Sequence, residues 1–304
     1  MADTETTASS AASGAHMEEE LRSQPDVWAH AIDQIDRSAL PAAGARIAIV
    51  GCGTSWFMAQ SYATLREQGG QGETDAFTAS ELVPVRDYDA IIALSRSGTT
   101  TEVLELVEGL GGRTRTIGIV ADGKTPLADL VNDVIALPFA DEKSVVQTRF
   151  ATTALAVLRA SLGHDLGAAI ADARTAISSE LDEALVSAEQ YTFLGTGFSV
   201  GLAHEAALKM REASQSWTES YPAKEYRHGP ISIAAPGRVT WMFGQPPTGL
   251  EKDVAVTGAR FEHNTLDPMA ELVRAQRVAL ERARRAGLNP DMPRNLTRSV
   301  ILEP

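Results

Sequence analysis

Cysteine is nearly absent: Cys52 is the single one in 304 residues. One thiol cannot build an internal disulfide framework or a cysteine-cluster metal site, and it suits a reducing cytoplasm. Long apolar runs are missing as well, since none approaches the ~20 residues of a membrane-spanning helix. Positive charge is scarce: 27 Lys and Arg against 40 Asp and Glu leave a net charge of -13. That balance excludes a nucleic-acid partner, whose backbone demands clustered basic side chains. An anion site in such a chain has to be local, built from backbone amides, hydroxyls and at most one cation. The expectation is a soluble cytoplasmic protein that works on a small molecule, not on a membrane.

A hydrophobic fraction of 44% supplies a real core. The opening stretch MADTETTASSAASGAH is small, polar and acidic at its start. It lacks the basic flank and apolar core of a secretory leader, so residues 1–16 read as a disordered tail. From Met17 the pattern turns helical, with Leu21, Val27, Trp28, Ala31 and Ile32 on one face. RIAIVGCGTS then gives a strand running into a glycine turn, and the following helix stops at Gly69-Gly70. Strand-like runs recur at AIIALS, TIGIVAD and DVIALPF, with helical segments after the first two. Apolar strands alternating with amphipathic helices imply an α/β fold with a parallel sheet covered on both faces.

The layout then repeats. YTFLGTGFSVGLAHEAALKMREA follows the same order of strand, Gly-x-Gly and helix as RIAIVGCGTSWFMAQSYATLRE. An internal duplication is the natural reading, with the second copy shortened. The expected units are 17–165, including the N-terminal helix, and 166–304, including an extended C-terminal tail. Within the second, the chain is expected to leave its helix at Tyr221-Pro222. A further apolar run lies at DVAVTGARF, and a long helix covers Pro268 to Ala286.

Ligands of open α/β sheets bind off the carboxyl ends of the strands. Gly51 and Gly53 let the backbone approach a ligand closely, while Thr54 and Ser55 add hydroxyls at a helix N-terminus, where unpaired N–H groups favour an anion. The segment SRSGTTT, after Leu94, offers Ser95, Ser97 and Thr100 from a second strand end, with Arg96 as a charge-assisted donor. Either loop alone is compatible with ordinary turn and N-cap residues. Two of them at adjacent strand ends favour phosphate. A dinucleotide fingerprint would need a third glycine after Gly53, where Trp56 stands, and a Walker loop is not expected.

ALKMREASQSWTESYPAKEYRHGP is the second informative stretch. Lys209 and Glu212 are three residues apart and share a helix face, and His228 precedes Gly229-Pro230. A carboxylate and an imidazole suit proton transfer beside a sugar carbonyl, although a solvated helix pair and a loop histidine have the same appearance. The other histidines share no spacing, so no metal site is read from them.

GCGTS followed by SRSGTT resembles the phosphosugar-binding core of the SIS (sugar isomerase) domain family. The duplicated layout resembles its double-SIS members, such as the isomerase half of glucosamine-6-phosphate synthase. The resemblance implies two flavodoxin-like subdomains and no cofactor. It places the phosphate on Ser55, Ser95, Arg96, Ser97 and Thr100, with Val145 and Gln147 lining the sugar pocket. By the same match Glu212 is the C2 base, Lys209 its proton-relay partner and His228 the ring-opening residue. In the family that histidine reaches the other subunit's site, so a homodimer is implied. Two departures stand out. Arg96 replaces the usual Gln, and Arg298, in PRNLTRSV, replaces the lysine that forms an imine with the open sugar. A guanidinium stays protonated and forms no such imine. The expected activity is isomerisation and deamination of an amino-sugar 6-phosphate. The alternatives are loss of the C3 hydroxyl from an N-acetylated substrate and a non-catalytic phosphosugar sensor.

Overall fold

The computed structural model describes residues 13–82 and 86–302. Most of the expected tail, residues 1–12, lies outside them. Its last four residues behave otherwise, because helix α1 (Ala15–Gln34) starts two residues before Met17. Its N-terminus is tied down by the far end of the chain. The Gly14 amide donates to Asn289 Oδ1 (3.0 Å), and the Asp291 carboxylate accepts from the amides of His16 and Met17 (3.0 and 2.8 Å). These amides have no partner within the helix, so a carboxylate there satisfies them and also suits the helix dipole.

The first sheet joins β1 (Ile47–Gly51), β2 (Thr74–Thr78), β3 (Ala90–Leu94), β4 (Arg115–Val120) and β5 (Asp133–Ala136), all parallel, in the order β2-β1-β3-β4-β5. Every residue of β1 and β3 is buried, which explains their unbroken apolar runs. Helices α2 (Thr54–Gln68), α3 (Thr101–Leu110), α4 (Pro126–Leu130) and α5 (Arg149–Ser161) belong to this half. The sequence order reverses between β1 and β3, which marks their carboxyl ends as the crevice for a ligand.

After α6 (Gly167–Ser178) and α7 (Glu183–Val186), a second sheet repeats the plan. It joins β6 (Gln190–Gly195), β7 (Thr218–Pro222), β8 (Arg238–Phe243) and β9 (Arg260–Glu262), in the parallel order β7-β6-β8-β9. That is the first sheet's order without its fifth strand, as a shortened duplicate requires. Helix α8 (Ser199–Ser214) follows β6, α9 (Leu250–Val256) precedes β9, and α10 (Pro268–Arg285) closes the half. Tyr221-Pro222 is therefore no simple exit from a helix: it ends β7, paired alongside β6. The apolar run DVAVTGARF divides between helix α9 and strand β9.

One continuous apolar core runs through both halves, from Trp28 and Phe150 to Tyr191, Trp241 and Leu272. Smaller clusters lie around Val50, Ile91 and Val103 in the first half and around Leu194, Tyr226 and Met242 in the second. The halves meet where α2 crosses α8. A Cβ on Gly201 would lie 2.3 Å from the Phe57 carbonyl oxygen and 2.4 Å from Ser61 Oγ, so only glycine permits this approach. The crossing carries the C-terminal end of α8 to the carboxyl edge of the first sheet. Among the described residues, no helix is long and apolar enough to cross a membrane.

Candidate active site

Helices α2 and α3 both start at the carboxyl ends of their strands, and neither has a side-chain N-cap. Residues at both helix starts line a cavity of about 200 Å³ that opens to solvent. Thr54, Ser55, Ser95, Arg96, Ser97, Thr100, Val145, Gln147, Lys209, Glu212 and Arg298 all line it. Residues from both halves, from the loop before α5 and from the C-terminal tail thus converge on one space. His228 does not line it. It sits exposed in a single 3-10 turn, Glu225–His228, on the second half.

The hydroxyl loop is shaped by its own hydrogen bonds. Ser95 Oγ accepts from the Gly98 amide (3.2 Å), and Ser97 Oγ accepts from the Thr99 amide (3.2 Å). Gly98 has φ +61°, and a Cβ there would lie 2.2 Å from Thr125 Oγ1. The turn therefore needs glycine twice over. A further hydroxyl, absent from the sequence-based set, completes the cluster: Ser299 Oγ lies 3.1 Å from Ser97 Oγ and 3.0 Å from Thr99 Oγ1.

Arg96 is placed differently from the phosphate donor expected of it. Its side chain is buried, and its Nη1 donates to the Ser144 carbonyl (3.1 Å) and its Nη2 to the Arg298 carbonyl (2.7 Å). Arg298 lines the cavity but spends its guanidinium on the Glu142 carbonyl and the Asp141 carboxylate. Both departures from the family pattern thus point at main chain.

The opposite wall belongs to α8. Lys209 is 1% exposed, donates to the Glu212 carboxylate, and lies 3.5 Å from Glu205 Oε1. Glu205, like Ser299, is a residue that sequence reasoning missed. Spacings of four and three residues put Glu205, Lys209 and Glu212 on one helix face, a signal present in the sequence. Neither Glu205 oxygen has a hydrogen-bond partner among the described residues. Burial pushes its carboxyl up to about 8, with the Lys209 ammonium pulling the other way. Burial also opposes charge on Lys209, but Glu205 and Glu212 outweigh it and hold its pKa above the ordinary lysine value. Near neutral pH a protonated Glu205 leaves the Lys209 ammonium to Glu212. The arrangement orients one carboxylate at the cavity and keeps a proton-rich pair behind it.

Contrary to expectation, the letters of a Walker loop are present, in Gly118 to Thr125. The structure gives them no such role. Gly118 lies inside β4, paired with Ala93 and Val134, Lys124 is exposed, and the helix that follows has only five residues. A phosphate loop needs the strand to end at the first glycine.

Residues 41–162 match the SIS domain, a span that runs from just before β1 to the end of α5. Over 84% of its length the chain is 28% identical to the glutamine–fructose-6-phosphate aminotransferase (isomerizing) of Thermosynechococcus vestitus, covering 52% of that protein. The Sulfolobus acidocaldarius protein of the same name is 27% identical, over 93% of this chain and 55% of its own. The chain spans about half the length of these curated relatives. Among solved structures, glucosamine-6-phosphate deaminase from Thermotoga maritima superposes with a TM-score of 0.81 at 24% identity, over 93% of this chain and 99% of that one. Tagatose-6-phosphate ketose/aldose isomerase from Escherichia coli gives 0.76 at 21%, over 94% and 95%. At such identities the superpositions speak for the fold: two SIS-type α/β halves. The first sheet lies wholly within the matched span and the second is built on the same plan, so the chain carries a SIS domain over residues 41–162 followed by a half of like architecture.

Proposed function

We propose that the chain is an enzyme that moves the C2 proton of a hexose 6-phosphate, with an amino-sugar 6-phosphate as substrate. One observation carries this reading: Glu212, held by Lys209, opens into the same cavity as the start of α2 and the hydroxyl cluster before α3. Hydroxyls and helix amides are acceptable partners for a phosphate monoester. A carboxylate across the same cavity is a suitable general base. The names of the relatives and neighbours share isomerisation or deamination of hexose 6-phosphates, which agrees with that division.

In the open-chain sugar, Glu212 takes the C2 proton; the electron pair left behind forms the C1–C2 double bond as the C1=O π pair moves onto O1, which takes up a proton to give an enolamine. Return of a proton to C1 gives the ketimine. Water then adds at C2, and the amine leaves as ammonia with a ketose 6-phosphate as the other product. Lys209 keeps the base oriented and supplies a proton path to Glu205. Ring opening falls to the partner subunit's His228 in a cytoplasmic homodimer, because the histidine of the same chain stands outside the cavity.

The test is product analysis with glucosamine 6-phosphate and N-acetylglucosamine 6-phosphate, supplied separately. Ammonia and fructose 6-phosphate from the first alone support the proposal. An unsaturated product from the acetylated sugar alone replaces deamination by dehydration. Binding of both without any product replaces the enzyme by a sensor.

A further inference from the structure

The two arginines that depart from the family pattern are joined through the chain itself. Arg96 Nη2 donates to the carbonyl of Arg298, and the Arg298 guanidinium donates to the carbonyl of Glu142. Glu142 returns the connection, since its Oε2 lies 3.8 Å from Arg96 Nη1, buried and with no hydrogen-bond partner among the described residues. Arg96 Nη1 also reaches the Ser144 carbonyl at 3.1 Å. The result is a closed ring of contacts linking the strand end at Ser95, the loop of residues 141–145 and the C-terminal tail.

The tail lies on the hydroxyl loop as a consequence. The Thr101 amide donates to the Val300 carbonyl (3.2 Å), and the Leu302 amide donates to Thr101 Oγ1 (2.9 Å). Ser299, the next residue after Arg298, is thereby set among Ser97, Thr99 and Thr100.

We propose that Arg96 and Arg298 form a latch that holds the tail across the cavity, making Ser299 a further hydroxyl of a phosphate-monoester site. In this arrangement the two arginines are positioning residues, and neither grips the phosphate. A guanidinium committed to carbonyl oxygens on two segments fixes their spacing, which a neutral amide in place of Arg96 cannot do. The ligand half of the proposal rests on the reading of the cavity as a sugar-phosphate site; the latch does not.

The test uses the full-length protein with two readouts: hydrogen–deuterium exchange of residues 296–302, and affinity for inorganic phosphate. The latch predicts that Arg96→Gln and Arg298→Gln each speed tail exchange by about tenfold, the weight of one charge-assisted hydrogen bond. The double variant should exchange little faster than either single one, because both remove the same ring. Each single variant should weaken phosphate several-fold through the tail. Ser299→Ala should weaken phosphate while speeding tail exchange less than either arginine variant, since it leaves the ring of contacts intact. Arg298 is part-exposed, so its variant keeps the test open if Arg96→Gln does not fold. Wild-type exchange in Arg96→Gln together with lost phosphate binding would make Arg96 a direct ligand and overturn the latch. Multiplied effects in the double variant, or tighter phosphate in Ser299→Ala, would overturn it as well. If wild-type protein binds no phosphate, the anion site fails, while the exchange data still decide the latch.

Discussion

Lys209 Nζ lies 3.5 Å from Glu205 Oε1 and donates to the Glu212 carboxylate, so one ammonium serves two carboxyl groups on a single helix face. Removing it strips the Glu212 carboxylate of its counter-ion beside a Glu205 that is 1% exposed and protonated near neutral pH. Lys209→Met should therefore cost roughly 3–5 kcal/mol of stability, the usual result of breaking a buried pair from one side. Urea unfolding measures it, and a loss below about 1 kcal/mol contradicts the pairing.

Two carboxyls give the fold a pH dependence of definite sign. Burial raises Glu20 from 4.5 to about 7, aided by the nearby Glu142 charge, and raises Glu205 from 4.5 to about 8. The folded state thus holds these protons more tightly than the unfolded one. The stability they contribute is complete below pH 4.5 and is lost as pH rises through about 7 for Glu20 and about 8 for Glu205. The melting temperature should fall between pH 5 and pH 8.5, with Glu20 accounting for at most about 3 kcal/mol. Glu20→Gln and Glu205→Gln should each flatten the slope. A slope unchanged in both variants means that these groups do not titrate as described.

Gly201 sets how closely α8 approaches α2. A methyl group there meets the Phe57 carbonyl and Ser61 Oγ at clashing distances, so the helices must separate. Gly201→Ala should cost about 1–3 kcal/mol by overpacking. It should also lower turnover, because Glu212 rides on α8. Wild-type stability and rate would show that the crossing does not position the base.

Ser97 tests the other wall. Its hydroxyl meets Ser299 and the Thr99 amide. Ser97→Ala should raise KM for a hexose 6-phosphate about 5–10-fold, with kcat changed less than about twofold, because phosphate binding is the same in ground and transition states. A fall in kcat with KM unchanged would place the phosphate elsewhere.

Much of this architecture is legible in the amino-acid sequence. The fully buried strands β1, β3 and β6 announce themselves as apolar runs, and both glycine turns mark strand ends. Strands β2 and β7 do not, because they are sheet edges written as TDAFT and TESYP, only partly buried and rich in polar residues. The hydroxyl loop and the Lys209–Glu212 pair are readable because chemistry and spacing coincide. Glu205 is readable by its spacing but not by its burial, which depends on α8 packing across α2. Arg96 is the opposite case. A lone arginine in a hydroxyl loop suggests an anion, and nothing in the local sequence reveals backbone carbonyls arriving from residues 144 and 298.

Removal of the C2 proton of a hexose 6-phosphate is the step proposed for Glu212. Proton NMR of glucosamine 6-phosphate in D2O, with wild-type protein and Glu212→Gln side by side, tests it most directly. Wild-type protein should remove the H2 signal, and the variant should do so about 10²–10⁴-fold more slowly, with sugar-phosphate binding retained. Equal H2 exchange by both proteins, or sugar binding by wild-type protein with no exchange at all, would contradict it.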